Sequence, residues 1–369
     1  MRTLFTQHTT FISENSMTAS NSQVRVTFLD RDGTLIFEPL DTKQIDLVEK
    51  VKMLPGVVEG LKRLKEEGYR FVMISNQDGR GTSAFPEEDF ERPQRKFLDL
   101  LQKEGIEFYR ILICPHLPED NCACRKPRTG LVQDFLRQEK VNLDQSIMVG
   151  DREADMEFAK NVGVWGVRME TNGTFPRLAS VNRRTDETDV FVQCNLDGKG
   201  DFQIETDIKF FNHMLEQLSK HALIDLRIKA KGDSDIDDHH VVEDIGLTLG
   251  QALSRALGPR KGISRFGFLL PMDDTLAEVA LDIGGRSYLV FNCEFKREKV
   301  GDLPTEMVEH FFRSLADSLR ANIHINVRYS RNEHHKIEAI FKAFGRALRM
   351  ACERDHRLGD SLPSTKGVL

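Results

Sequence analysis

A short motif that occurs twice places the strongest limit on what this chain can fold into. His239-His240-Val241-Val242-Glu243 and His334-His335-Lys336-Ile337-Glu338 are two copies of HHxxE. Each is followed by the same spacing of small and apolar residues, Gly250, Ala252, Leu253 in the first copy and Gly345, Ala347, Leu348 in the second. Each also has a histidine upstream, His213 in FFNHMLEQL and His310 in VEHFFRSL. The pattern reads as an internal duplication, two halves each made of a histidine, a spacer and an HHxxE-bearing helix. Successive helical residues lie about 100° apart, so His239 and Glu243 share a face, as do His240 and Glu243, while the adjacent histidines splay. Splayed pairs suit two metal ions better than one, and the duplication offers six histidines and two glutamates to hold them.

The chain of 369 residues has room for about two domains, each able to bury its own core. Its 52 basic and 58 acidic residues leave no polycationic surface, so nucleic acid is not an expected partner. No run approaches the ~18 to 20 apolar residues that span a bilayer, and the first residues lack the apolar core of a signal peptide, which points to the cytoplasm and to no membrane partner. Three of the six cysteines are clustered (Cys114, Cys122, Cys124) and three scattered, a pattern of metal binding in a reducing compartment. Residues 1–22 are Ser/Thr/Asn-rich and aperiodic and read as a disordered leader.

In the first half, Val24 to Leu29 reads as a buried strand ending in Asp30-Arg31-Asp32-Gly33-Thr34, with a helix pattern over 57–68. Phe71 to Ile74 runs into Ser75-Asn76, and Ser146 to Val149 ends in Gly150-Asp151-Arg152-Glu153-Ala154-Asp155. Alternating strands and helices with polar residues at the strands' carboxyl ends describe a doubly wound parallel sheet with its site along that edge. Asp30, Asp32 and Asp151 would gather acidic oxygens there for a Mg²⁺, with Lys126 as a cation for phosphate. This set of motifs resembles the haloacid dehalogenase superfamily of phosphatases. The resemblance implies Asp30 as the nucleophile and Asp32 as general acid and then base, with Ser75, Asn76 and Lys126 on the phosphoryl oxygens. The short span from Asp32 to Ser75 leaves no room for a large cap, so the loop Asp78 to Phe85 is expected to close the site.

Cys114, His116, Cys122 and Cys124 fall on a Pro-bearing loop and predict a closed, structural Zn²⁺ site just ahead of Lys126. This loop resembles that of histidinol-phosphate phosphatases and of heptose bisphosphate phosphatases, and the first domain by itself leaves both open. The phosphatase domain is placed at 23–168, a linker at 169–182 and the second domain at 183–369.

In that second domain, alternation over Asp189 to Leu196, Leu223 to Ile228 and Ile323 to Val327 predicts strands, the last two each ahead of an HHxxE helix. The result is an α+β domain of two duplicated sheet-and-helix halves, following the Rossmann-like α/β domain. His324 lies on the polar side of its alternation and is set apart from the metal ligands. FFNHML, DDHHVVEDIGLTLGQAL, MDDTLAEVALDIGGR, EMVEHFFRSL, EHHKIEAIFKAFGRAL and LPSTKGVL resemble the imidazoleglycerol-phosphate dehydratase family. Together with the domain in front, they resemble the bifunctional HisB-type enzymes of histidine biosynthesis, which favours histidinol phosphate for the first domain.

That resemblance implies two Mn²⁺ ions held by His213, His239, His240, Glu243, His310, His334, His335 and Glu338, although the residues alone would admit Zn²⁺ or Fe²⁺ and leave the pairing open. It implies dehydration of imidazoleglycerol phosphate to imidazoleacetol phosphate by an imidazolate and diazafulvene-like route. Glu338 and Glu187 would move protons, Gln217 would lie near the substrate, and Arg265, Arg286, Ser364 and Lys366 would hold its phosphate. It further implies homo-oligomers, 24-mers assembled through the second domain with sites shared between copies. Two rivals remain: a metal-binding assembly protein without turnover, and a chain in which a single domain is active.

Overall fold

The computed structural model describes residues 23–232, 239–267 and 270–367. The expected leader, residues 1–22, the residues 233–238 ahead of the first HHxxE, and the last two residues of LPSTKGVL lie outside them. The chain divides into two compact units, Met1–Pro176 and Arg177–Leu369.

The first unit carries strands β1 (Val26–Leu29), β2 (Arg70–Asn76), β3 (Phe108–Cys114), β4 (Ile147–Gly150) and β5 (Trp165–Arg168) in the order β3-β2-β1-β4-β5. Every pairing is parallel. Parallel strands need crossovers, and α1 (Val57–Glu66), α2 (Glu87–Lys103), α3 (Gly130–Gln138) and α4 (Glu153–Val162) supply them. The central strands are covered on both faces, so β1 and β4 are apolar without alternation and wholly buried. Phe28 of β1 meets the rings of Phe135 and Phe158 edge-on at 6.3 and 6.1 Å, fixing α3 and α4 on the sheet. The carboxyl ends of β1, β2 and β4 therefore deliver Asp30, Ser75 and Asp151 to one rim.

The second unit repeats one plan twice. Its first half comprises β6 (Leu178–Arg184), β7 (Thr188–Asn195), β8 (Phe202–Glu205), α5 (Lys209–Ala222), β9 (Asp225–Gly232) and α6 (His239–Leu257). Its second half comprises β10 (Phe266–Gly267), β11 (Leu270–Met272), β12 (Thr275–Asp282), β13 (Tyr288–Asn292), a ribbon of β14 (Lys299–Val300) and β15 (Leu303–Pro304), α7 (Glu306–Leu319), β16 (Asn322–Tyr329) and α8 (Glu333–Cys352). The sheets run β6-β7-β9-β8 and β10-β12-β16-β13, with β11 also on β12. In each, a hairpin leads to an antiparallel strand whose far neighbour is parallel, so the duplication extends to strand order and direction.

Segment 169–182, placed in the linker, already contains part of β6. Leu178 to Val181 are all buried, so the strand shows no alternation, and its pairing with β7 puts it in the second unit. The helices pack between halves: Phe211 of α5, Phe311 and Phe312 of α7 and Phe341 of α8 form one ring cluster with centroids 5.1 to 6.3 Å apart.

Candidate active sites

In the first unit, Asp30, Asp151 and Asp155 bring one carboxylate oxygen each to within 4.8 Å of one another, and all three are buried. Lys126 Nζ stands among them, 2.5 Å from Asp30 and 2.6 Å from Asp155. Burial pushes the Asp30 carboxyl up to about 7, against the pull of Lys126, and Asp155 and Asp151 push it further. Burial works to lower the Lys126 ammonium, but Asp30 and Asp155 outweigh it and hold it above its usual range. Three carboxylates facing one ammonium leave a buried excess of negative charge, and this donor set fits a hard divalent cation.

The Asp32 carboxylate lies outside that cluster, and the Asp155 carboxylate is part of it. Asp32 instead accepts from Arg31 Nε at 2.8 Å and from Gln77 Nε2 at 2.7 Å. Asp155 is the second aspartate of GDREAD; it sits in the first turn of α4 and accepts from the Arg152 amide at 3.0 Å. Thr34 and Thr171 donate to Asp151 at 3.2 and 2.7 Å and fix its carboxylate. Asn76 exchanges hydrogen bonds with the Lys126 backbone at 3.0 and 3.3 Å, holding the lysine loop against β2.

A cavity of about 220 Å³ opens above these groups, lined by Asp30, Asp32, Ser75, Asn76, Lys126 and Asp155 among others. Asp78 and Phe85 wall it as expected, but so do Glu38 and Thr42 to Gln44 from the stretch after β1, so the loop 78–85 is only part of the enclosure. Glu38 is buried there and pairs with Arg152; burial keeps its carboxyl above the usual range although Arg152 draws it down.

Cys114, His116, Cys122 and Cys124 converge, with Sγ and Nδ1 atoms 3.1 to 3.6 Å apart. Three sulfurs and one imidazole aimed at one point fit a tetrahedral soft-ligand ion. Arg128 donates to the Cys122 carbonyl at 2.6 Å and Arg125 to the His116 carbonyl at 3.1 Å, which ties the loop to the segment bearing Lys126.

In the second unit the halves cross to build their sites. His213 of α5 meets His334 and Glu338 of α8, with one ligand atom from each within 4.8 Å of the others. His310 of α7 faces His239 of α6 at 4.6 Å between ring centroids, and His239 Nε2 lies 3.5 Å from Glu243. The upstream histidine of each half thus serves the HHxxE of the other. Burial works to raise the Glu338 carboxyl, but Lys342 at 2.7 Å holds it below the usual range.

His240 and His335 turn away from these trios, as splayed neighbours must. His240 Nδ1 is 3.3 Å from Glu187, and His335 Nδ1 is 2.6 Å from Asp274. Glu187 immediately precedes β7 and Asp274 immediately precedes β12, so the two acids occupy matching hairpin turns; Asp274 was not singled out in the sequence, and only the fold makes it the counterpart of Glu187. Gln217 lies one helical turn beyond His213 on the same face of α5. Arg265 pairs with Asp282 at 2.8 Å and donates to the Pro363 carbonyl at 3.0 Å, bringing the tail with Ser364 beside it. Arg286 and Lys366 are exposed.

These geometries define the class: a haloacid-dehalogenase-like phosphatase domain followed by a duplicated, metal-dependent dehydratase domain. The models of two families match accordingly, haloacid dehalogenase-like hydrolase over residues 3–163 and imidazoleglycerol-phosphate dehydratase over residues 206–348. The chain belongs to the bifunctional HisB family of histidine biosynthesis. It is 48% identical over 355 residues to "Histidine biosynthesis bifunctional protein HisB" of Legionella pneumophila (strain Lens), covering 94% of this chain and 99% of that relative. Identity to the protein of the same name from Stenotrophomonas maltophilia (strain R551-3) is 47% over 359 residues, covering 93% and 99%. Imidazoleglycerol-phosphate dehydratase from Staphylococcus aureus subsp. aureus N315, a solved structure, aligns over 48% of this chain and 99% of its own at 41% identity and a TM-score of 0.44. Among the described residues no helix is long and apolar enough to cross a membrane.

Proposed function

We propose that the first unit hydrolyses histidinol phosphate to histidinol and phosphate, and that the second dehydrates imidazoleglycerol phosphate to imidazoleacetol phosphate. For the phosphatase the carrying observation is Asp30 itself, buried at the end of β1 with Lys126 2.5 Å away. Lys126, Ser75 and Asn76 line the floor on which the phosphoryl oxygens would rest. The Asp30 carboxylate attacks phosphorus as the bond to the alcohol breaks, and Asp32 supplies the proton to the departing oxygen. Asp32 then takes a proton from water, which displaces Asp30 and releases phosphate. A Mg²⁺ held by Asp30, Asp151 and Asp155 would offset the negative charge gathered there.

The dehydratase reading rests on the crossed trios. His213, His334 and Glu338 form one set and His239, His310 and Glu243 the other, both apt for Mn²⁺. Such ions would bind the substrate's imidazole nitrogens and draw electrons from the ring. Glu187 and Glu338 would move protons, and Arg265, Arg286, Ser364 and Lys366 would hold the phosphate. Each trio is short of its second HHxxE histidine, and His240 and His335 pair instead with Glu187 and Asp274, which supports sites completed between copies in a 24-mer. The Cys/His loop takes a structural Zn²⁺.

The test uses the full chain loaded with Mn²⁺ and Mg²⁺. Asp30→Asn should abolish phosphate release from histidinol phosphate while leaving dehydration intact; His334→Ala should do the reverse. Loss of both activities in either variant would overturn the two-site assignment. Faster hydrolysis of a heptose bisphosphate than of histidinol phosphate would move the first unit to the other phosphatase class.

A further inference from the structure

Arg31, between the two aspartates of DRDGT, takes no part in the steps above, yet its side chain is completely buried. A buried cation demands partners, and two of those it has, Asp32 and Gln77, line the phosphatase cavity. Its Nε and Nη2 grip both oxygens of Asp32 at 2.8 and 3.0 Å, a two-pronged hold on one carboxylate. Nη2 also donates to Gln77 Oε1 at 3.1 Å, and Nη1 to Gln94 Oε1 at 2.8 Å, while the guanidinium lies 5.0 Å over the Phe90 ring. Gln77 closes the circuit, donating to Asp32 Oδ2 at 2.7 Å and to Ser75 Oγ at 2.8 Å.

We propose that Arg31 is a positioning residue for the general acid, its guanidinium fork, steadied by Gln77 and Gln94, keeping Asp32 out of the Asp30–Asp151–Asp155 cluster and turned toward the leaving oxygen. This rests on the assignment of Asp32 as the acid. The hold is geometric: Asp32 has two free χ angles, and a carboxylate two residues past Asp30 could swing to the cation site. Three hydrogen bonds on its oxygens remove that freedom. The linkage through Gln77 also places the proton donor in register with Ser75, on which the phosphoryl group would rest.

A proton donor matters in proportion to how badly the leaving group needs a proton. An alkoxide needs one, whereas p-nitrophenolate departs without it. The experiment therefore compares kcat/KM for histidinol phosphate and for p-nitrophenyl phosphate in the full chain, because kcat/KM reports only the steps through formation of the phosphorylated Asp30. Asp32→Asn should lower the alkyl-to-aryl ratio by about 100-fold, and Arg31→Gln by at least about 10-fold. The double variant should be no worse than Asp32→Asn, since Arg31 acts only through that side chain. Equal losses on both substrates, or additive losses in the double variant, would overturn the proposal and leave Arg31 as a buried structural ion pair. If Asp32→Asn itself leaves the ratio unchanged, the acid assignment fails and the inference falls with it. Should Arg31→Gln fail to fold by circular dichroism, Gln94→Leu removes the acceptor of Nη1 while leaving Arg31, Asp32 and Gln77 in place and should still lower the ratio about 3-fold; an unchanged ratio there counts against the proposal.

Discussion

Asp32 and Asp155 illustrate how spacing and direction differ at the scale of one residue. DxD reads as two acids for one ion, yet the backbone turns directly after β1: the amides of Leu35 and Ile36 both bond to the Arg31 carbonyl at 2.8 and 3.1 Å, and the Asp32 carboxylate is held by Arg31 and Gln77. Asp155 was in plain view as the last residue of GDREAD. It reaches the cluster because α4 begins at Glu153, and the first turn of that helix brings the side chain back onto the Arg152 amide, near Asp151 and Asp30. Since Asp155 also faces Lys126, Asp155→Asn should leave Lys126 bound to Asp30 alone and strip one ligand oxygen from the cation site. The expected result is about a 10-fold rise in the Mg²⁺ needed for half-maximal phosphate release, with most of kcat regained at saturation and dehydration unchanged. An unaltered Mg²⁺ titration would remove Asp155 from the site.

At the scale of elements, the sequence conveyed β1, β2, β4, β7, β9 and β16 and the helices that carry HHxxE, because period and motif are local, whereas β12, which alternates just as clearly, is absent from that reading. It missed β6, which is buried over four consecutive residues, and it could not say which helix meets which, since α5 joins α8 and α6 joins α7 across more than a hundred residues or across the halves. A trace of that packing was nonetheless written in the duplicated glycines. A Cβ on Gly250 of α6 would lie 2.7 Å from Ser318 Cβ and 2.8 Å from the Leu315 carbonyl of α7; one on Gly345 of α8 would lie 2.8 Å from the Leu218 carbonyl of α5. Both glycines allow the paired helix backbones to close up, eleven residues along from the first histidine of each HHxxE, and backbone atoms cannot step aside as a side-chain tip does. Gly250→Ala should therefore push α6 from α7, destabilise the second unit by about 1–3 kcal/mol and weaken metal binding at His239 and His310. Thermal unfolding and Mn²⁺ titration would check this; phosphate release by the first unit should be unaffected, and a variant with native Mn²⁺ affinity would show that the helix spacing does not set the site.

For the whole molecule, the two units differ in what a single copy can do. The phosphatase groups all come from residues 30 to 171 of one chain, and the cavity is lined entirely by that unit, so nothing in it calls for a neighbour. The dehydratase trios are different. Each has a histidine from one half and a histidine and glutamate from the other, while His240 and His335 join neither and set their Nδ1 atoms against Glu187 and Asp274. A carboxylate on Nδ1 orients an imidazole to offer Nε2, the arrangement by which outer-shell acids steady metal ligands. If a second copy receives those nitrogens, dehydration depends on assembly and phosphate release does not. Measuring both activities against particle mass by light scattering would separate them: as copies dissociate, dehydration per chain should fall by more than about 10-fold with release of Mn²⁺, while phosphate release per chain stays level. Full dehydration from an isolated copy would mean that one chain completes its own sites, with His240 and His335 serving only their hairpin acids.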